Sequence, residues 1–179
     1  MTDRGAQPTL EGARIRLRPW RPDDVDAVAA ACQDPEIQRW TQVPVPYAPE
    51  HAQGFVQDIA PSAWADGGAL FAVEPAGGGA LIASIGMFPP RDGFAEAGYW
   101  TTAGSRGRGF TAEALTVLTG WAFREAGLHR MELHVDPGNA GSRRVAERAG
   151  FREEGLIRQR FLHRGRPADV VLYARLASD

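Results

Sequence analysis

The stretch from Ser105 to Leu115, Ser-Arg-Gly-Arg-Gly-Phe-Thr-Ala-Glu-Ala-Leu, constrains this chain more than any other. Before it, residues 95–101 are short, aromatic and bounded by Gly93 and Gly104, the pattern of a strand. After it, Ala112, Leu115, Leu118, Trp121 and Ala122 recur at helical spacing, which predicts a helix of about four turns. A glycine-rich turn that opens a helix presents converging backbone N–H groups at the positive end of a dipole, a site suited to phosphate. Gly107 and Gly109 let the backbone close around an anion where a Cβ would intrude, and Arg106 and Arg108 add positive charge. The plainer alternative is a loop–helix junction with two solvated arginines.

Gly107-x-Gly109-x-x-Ala112 also fits a dinucleotide-binding fingerprint, with Asp136 ending the following strand, and so admits a dinucleotide-dependent oxidoreductase. Three features oppose it. Thr101 lies well before Gly107, where the fingerprint needs the strand to run straight into the glycine. Asp136 is followed at once by the turn Pro137-Gly138-Asn139. Too little chain then remains for the further βαβ units.

The chain of 179 residues is long enough for one domain with a full core, and 44% hydrophobic residues with a net charge of −2 are ordinary for a globular protein. The charge balance gives no reason to expect nucleic acid as a partner. The absence of a long apolar run or a signal pattern predicts no membrane span and a cytoplasmic location. Cys32 stands alone in an alanine-rich helical pattern, as a small buried hydrophobe would, and no His/Cys spacing suggests a metal.

In chain order, residues up to Leu10 are polar and expected to be loose. Arg14-Ile-Arg-Leu-Arg18 alternates, which predicts a half-exposed strand with Ile15 and Leu17 inward and the arginines in water. Pro22 and Pro35 open two helices, the second ending at Trp40, and a proline-rich loop carries Tyr47. A third helix includes Phe55 and Ile59, and a hairpin follows around Gly77-Gly78-Gly79. Residues 129–135 form a strand that, with the long helix, makes a βαβ unit, so it lies parallel to the strand before the turn. A short helix from Asn139 stops at Gly150, and two strands around Arg164-Gly165-Arg166-Pro167 close the chain.

Arg106-Gly-Arg-Gly109-Phe-Thr111 resembles the Q/R-x-x-G-x-G/A acyl-CoA signature of the GNAT acetyltransferases. Tyr99-Trp100, Asn139-Ala-Gly-Ser142 and Gly150-Phe151 extend the resemblance towards the RimJ/RimL-like ribosomal-protein N-terminal acetyltransferases, from about Arg14 to Leu176. The one departure is Thr111, where the family prefers Gly or Ala; its N–H is kept while its side chain crowds the pyrophosphate slightly. The resemblance implies an α+β (α/β) GNAT fold in a single domain: a mixed sheet of about seven strands, about four helices and a splayed parallel pair. It implies acetyl-CoA as co-substrate, its pantetheine arm beside Trp100, Thr101 and Thr102 and its pyrophosphate on the N–H groups of Arg106, Gly107, Arg108, Gly109, Phe110 and Thr111. Asn139 and Ser142 match positions beside the cofactor sulfur. The acceptor is an amine, of a peptide N-terminus or a small molecule, and relatives that dimerise allow a homodimer here, although no residue specifies an interface.

Acetyl transfer to an amine needs positioning, a proton acceptor for the amine and a proton donor for the thiolate. Ser142 is the candidate acid, with helix capping as its alternative role. Glu154, which matches a proposed base in RimL-like enzymes, and Glu96, on the strand before the turn, are both candidate bases, and a solvated carboxylate remains open for each. His134 either lines the cleft or is a satisfied core histidine. Trp40, Tyr47 and the hairpin from Leu162 to Pro167 are expected to recognise the acceptor. An acyl-CoA-binding module without turnover would keep the same turn.

Overall fold

In the computed structural model, residues 4–179 are described, so the looseness expected of residues 1–3 lies outside them. Residues 4–10 are held rather than loose. The Arg4 guanidinium donates to the carbonyls of Trp64 and Gly68 and stacks on the Trp64 ring, and Gln7 donates to the Leu70 carbonyl.

The chain forms one eight-stranded sheet. Strands β1 (Leu10–Glu11) and β2 (Ile15–Arg18) come first, followed by α1 (Val25–Ala31) and α2 (Pro35–Trp40). Helix α3 (Pro49–Gly54) runs through a π-helical turn, residues 55–59, into α4 (Ala60–Ala65). Then come β3 (Ala69–Pro75), β4 (Ala83–Met87), β5 (Phe94–Thr101), α5 (Phe110–Arg124), β6 (Arg130–Val135), α6 (Ala140–Arg148), β7 (Arg152–His163) and β8 (Arg166–Leu176). The spatial order is β1-β2-β3-β4-β5-β6-β8-β7.

Strands β5 and β6 are parallel; the other neighbours are antiparallel. One parallel pair is not a doubly wound sheet, so the dinucleotide-binding alternative fails on topology. The parallel pairing runs only through Phe94↔Arg130, Ala95↔Met131 and Glu96↔Glu132. Beyond Glu96 the two strands part, because β5 stays on β4 as far as Thr101 while β6 follows β8. The expected splay is therefore present, opening towards the turn that starts α5.

One face of the sheet buries Phe71, Ile85, Leu115, Leu118, Met131 and Tyr173 beneath α5 and α6. On the other, Val28, Cys32, Ile37, Tyr47, Ala52 and Val56 form a second cluster against Trp20 and Trp100. Strand β2 corrects the sequence expectation. Arg18 is buried, bound by Asp24 through both terminal nitrogens (2.8 and 2.7 Å) and by Glu74 through Nε (2.7 Å). Burial pushes both carboxyls up, but the arginine hydrogen bonds outweigh it and hold Asp24 and Glu74 below their ordinary values. The alternation of β2 is correct: Arg14 is exposed as expected, but Arg16 is partly covered by Glu74 of β3 and Arg18 is buried by Glu74 and by Asp24 just before α1.

Candidate active site

The turn before α5 is built as an anion cradle. Gly107 (φ 72°) and Gly109 (φ 80°) both take the left-handed conformation. A Cβ added at Gly107 would meet nothing within 4 Å, so glycine is required there by backbone conformation and not by space. Gly109 caps α5, whose ladder starts with the Glu113 N–H donating to the Gly109 carbonyl. The N–H groups of Phe110, Thr111 and Ala112 thus have no acceptor within the helix and face its open end. Arg106 N–H is partly engaged, with the Ala103 carbonyl at 3.4 Å, so the free run starts at Gly107.

Side chains around the turn fix it in place. Arg14 donates to the Arg108 carbonyl and to Glu113 of α5, and both Arg14 and Arg108 lie over the Phe110 ring. The Arg106 guanidinium is bound by Asp34 at 2.8 Å, at the start of α2. Burial pushes Asp34 up, but its bonds from the Glu36 N–H and Arg106 outweigh this and keep the carboxyl low. Thr111 does not crowd the cradle. It is buried, and its hydroxyl bonds the Thr101 hydroxyl at 2.6 Å.

The register of β5 decides which backbone groups reach the gap. Thr102 N–H donates to Ile82, and Phe88 N–H donates to Glu96, so the even-numbered residues of β5 pair with β4. Trp100 and Thr102 are therefore corrected as pantetheine partners through their backbone. The Trp100 ring instead packs 6.5 Å from Trp20. The odd residues face away from β4: Ala97 N–H completes the last pairing with β6, while Tyr99 and Thr101 turn their N–H and C=O groups into the gap, and only Thr101 of these was expected.

Alternation also separates the side chains of β5. Tyr99 packs on the α5/α6 side, where its hydroxyl meets Ser142 Oγ at 2.7 Å. Burial pushes the Tyr99 phenol up to about 12, opposed by its bond with Ser142, so it stays protonated near neutral pH. Asn139 Oδ1 accepts from the Ser142 N–H at 2.9 Å, which caps α6 and fixes the serine over the gap. Tyr99 is a missed site residue; its signal was the odd-numbered alternation through Ala95 and Ala97.

On the opposite face, Glu96 Oε2 lies 3.0 Å from His134 Nδ1, at the last paired position before the splay. His134 is largely buried, Glu96 is half-open to solvent, and Glu132 Oε2 stands 3.9 Å from the other imidazole nitrogen. Glu132 in turn accepts from Arg130 at 2.6 Å. Glu154 is corrected as a base. Both its oxygens are bound by Arg130, at 3.0 and 2.6 Å, beside the first residue of β6 and away from the splay. Those hydrogen bonds hold Glu154 below the usual carboxylate range, so it is a poor proton acceptor.

Of the expected acceptor residues, Trp40 borders the mouth. Its indole donates to Glu36, and its ring edge lies 3.6 Å from where a Cβ on Gly138 would stand, just past β6. Tyr47 is corrected: it is buried against Cys32 and the rest of the second cluster, and so supports the loop from beneath. The β7–β8 hairpin closes the third side. His163 meets Gln42, and Arg164 donates to the carbonyls of Gln38 and Val43.

The whole chain, not this arrangement alone, is similar to known proteins. The acetyltransferase (GNAT) domain family matches residues 14–152. An uncharacterized N-acetyltransferase, p20 of Bacillus licheniformis, is 27% identical over 94% of this chain and 96% of its own. The ribosomal-protein-serine acetyltransferase of Escherichia coli is 32% identical over 53% of each chain. RimJ of Mycobacterium smegmatis, solved in complex with CoA-disulfide, superposes with a TM-score of 0.84 at 26% identity, covering 96% of this chain and 88% of that one. The chain belongs to the GNAT acetyltransferase family.

Proposed function

We propose that this protein transfers the acetyl group of acetyl-CoA to the α-amine of a protein or peptide, both substrates being held together. The observation that carries the reading is the splay itself: an anion cradle at one end, free β5 backbone along it, and opposed proton-handling groups on its two faces. The residues fit the co-substrate. Gly107 to Ala112 offer N–H groups for a pyrophosphate, and Tyr99 and Thr101 offer a strand edge for an amide-bearing arm. The similarity to the ribosomal-protein-serine acetyltransferase of Escherichia coli supports a protein as acceptor.

Acetyl-CoA when bound supplies an activated thioester; the rest of the chemistry belongs to this chain. A β5 N–H in the gap is placed to polarise the carbonyl. Glu96, oriented by His134, takes the proton that the acceptor amine loses as its nitrogen bonds to the acetyl carbon. The Tyr99–Ser142 pair returns a proton to sulfur as the C–S bond breaks. Because Glu96 and Tyr99 lie on opposite faces of β5, acceptor and leaving group are handled from opposite sides.

Release of CoA thiol tests the reading, with peptides bearing free or blocked N-termini and a set of small amines. Turnover that requires a free peptide α-amine is expected. Turnover on small amines alone would overturn the acceptor class, and acetyl-CoA binding without any thiol release would make the chain a binding module.

A further inference from the structure

The tip of the β7–β8 hairpin carries a charge pattern unlike the rest of the strand pair. Between residues 158 and 169 stand Arg158, Arg160, Arg164 and Arg166 against one carboxylate, Asp169. Asp169 is already used, accepting the Gln159 N–H at a bulge where Gln159 takes φ 50°. All four arginines are exposed, and among the described residues none of them is ion-paired. Nearer the base, arginines are matched to carboxylates: Arg143 to Glu153, Arg130 to Glu154 and Arg152 to Asp179. In a chain of net charge −2, four unmatched arginines thus stand together at one hairpin tip.

That place is the rim of the acceptor mouth. Arg164 anchors the tip to α2 and the loop after it, and His163 touches Gln42 in the same loop. Phe161 and His163 share a face with ring centroids 6.5 Å apart, and Arg166, opposite His163 in register, stands on that face too. Phe161 and Leu162 are 38% and 63% exposed, so apolar surface lies among the guanidinium groups. Unpaired guanidinium groups beside a site suit carboxylates, which they bind through paired N–H donors.

We infer that the hairpin selects acceptors whose residues following the reactive N-terminus are acidic. The inference rests on the N-terminal acceptor reading above and adds its charge class. Nucleic acid would also meet a basic surface, but the patch is confined to one hairpin tip and adjoins the mouth through which a peptide amine must enter.

Two short peptides with N-terminal serine and a fluorophore at the far end test this, one continuing in Asp and Glu, the other in Lys and Arg. Anisotropy is read in the presence of CoA. The acidic peptide is expected to bind about tenfold more tightly, with the difference shrinking as salt rises. The R158E/R160E variant should reverse the order, and R158Q/R160Q should abolish the difference, each with acetyl-CoA affinity unchanged as the check on folding. Equal affinities, a preference that survives both variants, or displacement of the acidic peptide by a single-stranded oligonucleotide that binds more tightly would overturn the inference. Acidic preference without thiol release would contradict the proposed activity alone; release without charge preference would contradict the hairpin's role alone.

Discussion

The two halves of the proposed active site are made of different materials. The half proposed for the cofactor, from β5 through the glycine turn to α5, offers backbone: left-handed glycines, unpaired helix N–H groups and an unpaired strand edge. The half proposed for the acceptor, formed by α2, the loop after it and the β7–β8 hairpin, offers side chains drawn from residues far apart in the chain. Backbone sites tolerate change in side chains but not in conformation; side-chain sites do the reverse. That difference tells which substitutions damage which substrate.

The largest effect expected separates folding of the acceptor side from both. Arg18 lies beneath α1 with its charge buried between Asp24 and Glu74, and R18M leaves buried Asp24 without its cation and Glu74 with Arg16 alone. A loss of about 3–5 kcal/mol in denaturant unfolding is expected. The sign with pH follows from the same groups. Both carboxyls are held low in the fold, so their stabilisation is complete above the ordinary carboxylate pKa of about 4 and fades as acid protonates them. The melting temperature of the native protein should be steady from neutral pH down to that region and then fall.

Next is the cofactor half. G109R forces a side chain onto a φ of 80° and into the cradle beside Arg14. Calorimetry should show acetyl-CoA binding weakened by at least about a hundredfold, equal to about 2.7 kcal/mol. Circular dichroism should still report the native secondary structure.

Smaller effects divide the chemistry. Y99F should lower kcat by about tenfold to a hundredfold with acetyl-CoA affinity nearly unchanged, and S142A should do less because the phenol remains. If either variant chiefly weakened acetyl-CoA binding, the pair would be a contact and not a proton source. The smallest effect is expected at the two candidate carboxylates. E154Q should leave kcat unchanged, because Arg130 already occupies both oxygens, whereas E96Q should reduce it. Comparable losses in both would dissolve the distinction drawn here.

The same contrast explains what the sequence disclosed. The cradle was readable because its requirements are local: Gly107, Gly109 and the helical periodicity from Ala112 lie within a few residues of one another. The parallel pair followed from strand–helix–strand order. What depended on register or distance was not readable. Trp100 and Thr102 were expected at the cofactor, and only the pairing of Thr102 with Ile82 reveals that Thr101 and Tyr99 face the gap instead. Arg16 and Arg18 read as solvent-facing because alternation says which face a residue is on and not what covers it. Glu154 was chosen by its place after Gly150-Phe151, but Arg130, from another strand, neutralises it. Asp34 reads only as the cap of α2, which it is, because its partner Arg106 is remote in the chain.

Titration calorimetry of the native protein with acetyl-CoA and, separately, with NAD(P) tests the central claim most directly. One acetyl-CoA bound per chain, with no dinucleotide binding and with affinity lost in G109R, is the expected result. Binding of the dinucleotide, or acetyl-CoA affinity indifferent to G109R, would contradict the assignment of the glycine turn and the splay as the acyl-CoA site.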